Sequence, residues 1–125
     1  MTAEELKERT KVFALRVFRL VAAFPSDVAA RAIANQLVRS GTSVGANYRG
    51  ASRGRSKAEF RAKLGVVIEE VDEFAYWLEL IIEGEFLDKV RVEPLLHEAN
   101  ELCAIMVASR KSAEANRQSK IDNLK

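Results

Sequence analysis

The chain has 125 residues, 48% of them hydrophobic and 30% charged, and its net charge is only +2. That size and balance set one globular domain with a thin core, and no run approaches the roughly 20 apolar residues that a bilayer span needs. The charge is unevenly spread: residues 31–63 hold eight Lys and Arg against the single acid Glu59, a formal +7, while residues 69–101 hold eleven acids against Lys89 and Arg91, a formal −9.

The first helix is expected from Ala3, because Thr2 and Glu5 form a capping box. Its apolar stripe is Leu6, Phe13, Val17, Leu20 and Phe24, and Pro25 closes it by pushing its neighbour out of the α region. Ser26 or Asp27 caps a second helix that runs to about Ala51. One face of that helix is Ile33, Leu37, Val44 and Tyr48; another is the small-residue row Ala30, Ala34, Val38, Gly41 and Gly45. Two glycines inside a helix cost roughly 1 kcal/mol each against alanine, so the row is expected to admit a closely packed neighbour. Gly54 supplies the turn.

Ser56 and Glu59 form a second capping box and start the third helix. Phe60, Leu64, Val67, Val71, Phe74, Leu78 and Ile81 alternate steps of four and three, the seam of a helical bundle, and Gly84 ends it. The fourth helix starts near Asp88 or Val92, with Pro94 in its first turn and a stripe of Leu95, Ala99, Leu102 and Met106. After Lys111 the pattern fades, and the end of the chain reads as a frayed polar tail. No strand signal rises anywhere. Short connections then predict an all-α, antiparallel, up-down-up-down, left-handed four-helix bundle over residues 1–116, with 117–125 as tail.

Several chemistries fail on residue type. A di-iron bundle needs two Glu-x-x-His motifs, and the one histidine, His97, has Pro94 three residues before it. Gly45 to Ser52 follows the start of a P-loop, but Ala51 stands where the lysine belongs and no strand precedes it. Cys103 lies on an apolar stripe, where a thiol is inert packing, so a Cys103–His97 nucleophile pair is disfavoured. The expectation is no catalytic residue, no metal, no cofactor and no enzyme. One cysteine cannot form an intrachain disulfide, and the charged N-terminus lacks the apolar core of a signal peptide, so a cytoplasmic protein without membrane contact is expected.

What remains is charge. Arg49, Arg53, Arg55, Lys57 and Arg61 converge on the turn between helices 2 and 3, where they suit phosphate contacts on RNA or DNA. The alternative is that this block docks on the acidic block of a second copy, as a scaffold for protein partners. Tyr48 is the one aromatic near enough to stack on a base, yet it continues the core stripe and reads as core. Asn47 and Ser43 read as helix-packing hydrogen bonders. The acids of helix 3 are either a solvated face or partners for helix 2 arginines, within the chain or across a subunit boundary. Arg39, Glu70, Glu73 and Trp77 are therefore the candidate oligomer contacts, with Trp77 marking an interface or covering the bundle end.

The segments Arg39 to Arg49 and Arg55 to Phe60, with Glu69 to Glu73 and Tyr76 to Leu80, carry a family likeness. Together they resemble the four-helix bundle family of 23S rRNA intervening-sequence proteins. Many members read Asn-Ile-Ala-Glu-Gly where this chain has Asn47 to Ala51, a departure that places Arg49 at an otherwise different position. The resemblance implies a left-handed bundle assembled as a ring-like homopentamer. It also implies a relation to the accessory proteins of diversity-generating retroelements, which bind nucleic acid and a reverse transcriptase. It supplies no catalytic residue to transfer.

Overall fold

The structure is a computed structural model. It describes residues 1–124, with side chains except at 116–120. Four helices follow one another: α1 (Ala3–Val21), α2 (Val28–Ser52), α3 (Lys57–Glu83) and α4 (Lys89–Leu124). Each packs on its sequence neighbours and α4 closes back on α1, while the diagonal pairs do not meet as backbones. This is the expected all-α four-helix bundle, with short connections turning the chain back at each end. The α1–α4 seam is the sparsest of the four. Among the described residues, no helix is long and apolar enough to cross a membrane.

Local chemistry sets the helix ends. Thr2 and Glu5 close a reciprocal capping box, with the Glu5 amide donating to Thr2 Oγ1 at 3.1 Å and the Thr2 amide to Glu5 Oε2 at 2.9 Å. Helix α1 stops at Val21, four residues ahead of Pro25, as the amides of Ala23 and Phe24 turn back to Leu20 and Val21. Asp27, not Ser26, caps α2, its Oδ1 accepting from the Ala30 amide at 2.7 Å. Ser56 caps α3, but Glu59 returns to the Arg55 amide at 3.3 Å, so this second box is displaced by one residue.

Gly84 caps the end of α3 in a right-handed conformation, and the positive φ, 59°, falls on Glu85. The amides of Glu85 and Phe86 donate to the carbonyls of Ile82 and Ile81, the paired bonds of a Schellman cap. A side chain in that left-handed well costs about 1–2 kcal/mol. Glu85→Gly is accordingly expected to stabilise the fold by about 1 kcal/mol in a urea titration, and a loss of stability would show that the carboxylate has an unrecognised role.

Two expectations for α4 differ. It begins at Lys89, so Pro94 falls in the second turn and removes a hydrogen bond that would otherwise reach Val90. The segment expected to fray continues as helical backbone to Leu124, while Lys125 lies outside the described residues.

The core is one cluster running the length of the bundle, and the stripes of all four helices supply it. The seam of α3 is buried from Leu64 to Ile81, with Phe60 at its rim. At the centre, Phe13 of α1 meets Phe74 of α3 edge to face, with ring centroids 4.9 Å apart. The small-residue row of α2 does admit a neighbour. A Cβ on Gly41 would stand 2.8 Å from Val17 Cγ2, and one on Gly45 would stand 3.1 Å from Thr10 Oγ1. Thr10, wholly buried, survives there because its hydroxyl donates to the Lys7 carbonyl at 3.0 Å.

Candidate nucleic-acid interface

The chain reverses between α2 and α3 in four residues, Arg53 to Ser56. This turn holds Arg49, Arg53, Arg55 and Lys57 at one end of the bundle, all four exposed. The side chains of Arg49, Arg53 and Arg55 have no acidic partner among the described residues. A shallow depression of about 500 Å³ lies beside them, bordered by Ala3, Tyr48, Gly54, Arg55, Lys57 and Phe60. Arg49 lines a narrower groove of about 220 Å³ between α1 and α2 together with Lys7 and Lys11. Those two lysines pair only with exposed neighbours on their own helix, Glu4 at 3.0 Å and Glu8 at 3.7 Å. Such pairs contribute little and exchange readily. Sequence reasoning missed both lysines, because only the close approach of α1 at Gly45 brings them to Arg49.

Arg61 is not part of this surface. It is 8% exposed and donates to Glu114 Oε2 of α4 at 2.7 Å. A guanidinium at that depth belongs to the α3–α4 packing and cannot reach a phosphate backbone. Tyr48, 5% exposed, is core, and burial raises its phenol pKa. Asn47 Nδ2 donates to the Ser43 carbonyl at 2.9 Å and Ser43 Oγ to the Ser40 carbonyl at 2.9 Å, both within α2.

Arg39, Glu70, Glu73 and Trp77 meet one another within the chain. Arg39 spans from α2 to α3, Nη1 to Glu70 Oε2 at 3.1 Å and Nη2 to Glu73 Oε1 at 2.5 Å, and the Trp77 indole donates to the same Glu73 oxygen at 3.2 Å. The bond from Arg39, with a smaller one from Trp77, holds Glu73 below the usual carboxylate range. Trp77 is half-buried, and its neighbour Tyr76 is the exposed aromatic, the two rings 5.3 Å apart.

The profile of the 23S rRNA-intervening sequence protein family matches residues 4–108. The chain belongs to that family. A crystal structure of a protein with unknown function from the S23 ribosomal protein family of Bacteroides thetaiotaomicron VPI-5482 is 31% identical, with a TM-score of 0.81, over 89% of this chain and 99% of that one. No curated protein matches the chain.

For this 23S rRNA-intervening sequence protein, the matched region contains the whole turn and the Arg39 network, whereas Glu114, the partner of Arg61, lies beyond it. A second network links α1 to α4: Arg9 grips Glu98 through Nε at 2.8 Å and Nη2 at 2.5 Å, and reaches Glu101 at 2.8 Å. These partners are about 90 residues apart in the chain, with no local signal to pair them. The Arg9 bond sets Glu98 below its ordinary range despite partial burial. His97 is exposed, 3.4 Å from Glu101. Burial pushes the Cys103 thiol up, and the nearby Asp72 charge adds to the effect, which opposes thiolate formation.

Proposed function

We propose that this protein is a non-enzymatic homo-oligomeric module, a cytoplasmic pentamer, that binds RNA or DNA through the α2–α3 end of the bundle. The trio Arg49, Arg53 and Arg55 carries the reading: three exposed guanidiniums, grouped by a four-residue turn, with no acid to neutralise them among the described residues. Lys57 stands beside them, and Lys7 and Lys11 extend the patch along the neighbouring groove. Such an array suits the sequence-independent attraction of a phosphate backbone. A ring repeats it, so weak contacts add by effective concentration. The outer face of α1 supports self-assembly, because Val12, Leu15 and Phe18 follow one another at steps of three and are each 45–46% exposed.

Filter binding of a labelled oligonucleotide tests the reading. Four phosphate contacts in each engaged protomer predict that log affinity falls against log salt with a slope of roughly −3 to −4 per engaged protomer. Absent binding at low salt, or a flat dependence, would count against it. Native mass should show five times the 14.0 kDa chain.

A second reading has one observation in its favour. Glu69, Glu79 and Glu83 are exposed on the outer side of α3 without a cationic partner among the described residues. The basic turn of one copy docks on that acidic face of the next, and the protein is a scaffold without a nucleic-acid role.

A further inference from the structure

A second group of arginines, without an ion-pair partner among the described residues, lies at the opposite end of the bundle. Between the last turns of α1 and the first turns of α4 is a cleft of about 310 Å³, lined by Arg16, Arg19, Leu20, Arg91, Pro94 and Leu95. The α2–α3 turn borders the start of α1 at Ala3, and Arg19 is 16 residues further along that helix, about 24 Å away at 1.5 Å per residue. The two basic sites are therefore separate.

Three acids of α4 near this cleft are already engaged. Glu98 and Glu101 of α4 are held by Arg9, about two turns before Arg16 on α1, and Glu93 pairs with Lys89 at 3.3 Å. Arg16 feels Glu98 at a distance, but no carboxylate comes within ion-pair reach of Arg16, Arg19 or Arg91 among the described residues. Arg19 also complements the carbonyl end of α1, a weak effect at an exposed position that leaves its donor fork available. Three guanidiniums around one small cleft repel one another unless an anion joins them. The floor is apolar: Leu20 and Leu95 are 8% and 3% exposed, and Pro94 adds a flat ring edge.

We propose that this α1–α4 cleft binds a nucleoside phosphate, with the phosphate on the forks of Arg16, Arg19 and Arg91 and the base against Leu20, Pro94 and Leu95. Phosphate fits better than a single carboxylate, because its charge and its several acceptor oxygens engage more than one fork at once. The volume is at the lower bound for small-molecule sites and has room for one nucleotide. The sparse packing of α1 on α4 is what leaves this room. The ligand is either a free nucleotide or one unit of a strand, and the site does not depend on the role assigned to the α2–α3 turn.

Calorimetric titration with ATP, and anisotropy with a labelled single-stranded RNA, separate these sources. The full-length chain is compared with Arg19→Ala/Arg91→Ala and with Arg53→Ala/Arg55→Ala, all at one salt concentration. Arg19 and Arg91 are exposed, so the first variant should keep its helical circular dichroism. The expected result is that it binds ATP at least about tenfold more weakly than wild type, while the turn variant binds ATP normally. A tenfold loss confined to the RNA supports the site with a strand as its ligand. ATP and RNA affinities that both match wild type in Arg19→Ala/Arg91→Ala, or no saturable binding of either probe to the wild type, overturn it. Normal RNA affinity in Arg53→Ala/Arg55→Ala would instead sink the turn reading and leave this site standing.

Discussion

Phe74→Ala is expected to lower the unfolding free energy by about 3–5 kcal/mol, the largest effect of any single truncation in this chain. The ring is wholly buried and holds three helices together. It belongs to α3, stacks edge to face on Phe13 of α1, and lies close to the α2 backbone at Gly41. Alanine removes the transfer energy of the ring and leaves a void. Neither Phe13 nor the fully buried Val17, which meets Phe74 at Gly41, can move far to fill it. Urea denaturation followed by circular dichroism, at fixed protein concentration, measures the loss. A change below about 1 kcal/mol would mean that the centre of the bundle is not packed as described.

The second large effect is at Gly41. An added Cβ gains about 1 kcal/mol of helix propensity in the unstrained case. Here it would stand 2.8 Å from Val17 Cγ2 and 3.1 Å from Phe74 Cε2. Val17 is β-branched and fully buried, so its rotamer cannot give way cheaply. For alanine the two effects nearly cancel. For Gly41→Leu, α1 must lift off α2, and the expected cost is about 3 kcal/mol in the same titration. Gly50→Ala is the control, because its Cβ would meet only the flexible end of Lys63 at 3.3 Å and the propensity gain should prevail. If Gly41→Leu were as stable as wild type, close approach would not explain the glycines of α2.

Much of this bundle is legible in the chain because its signals are local. The capping residues Thr2, Asp27 and Ser56 and the four apolar stripes are short-range patterns, and short-range energetics decide helix ends and faces. The glycine row was readable because a helix retains such a cost only where it uses the space. Arg61 was misplaced because its charge hid its position: it stands three residues before Leu64 and so continues the buried seam backwards. The Arg9–Glu98 pair and the Arg16, Arg19 and Arg91 cleft depend on which helices become neighbours, and no spacing along one helix encodes that. Arg39, Glu70, Glu73 and Trp77, expected at an oligomer contact, meet one another within one chain across the α2–α3 seam. Of the adjacent pair on α3, Tyr76 rather than Trp77 is the exposed ring, because the Trp77 indole turns toward Glu73.

Charge reversal at the turn reaches the central claim most directly. Arg49→Glu/Arg53→Glu/Arg55→Glu places three acids where three guanidiniums stand without an acidic partner among the described residues, all at exposed positions that leave the core untouched. Oligonucleotide affinity and native mass are measured on the same preparation. The turn as a phosphate site predicts that the variant keeps the wild-type mass and loses binding by at least about a hundredfold at 50 mM salt. Undiminished affinity would contradict it, and collapse to the 14.0 kDa chain would assign the arginines to subunit contacts instead.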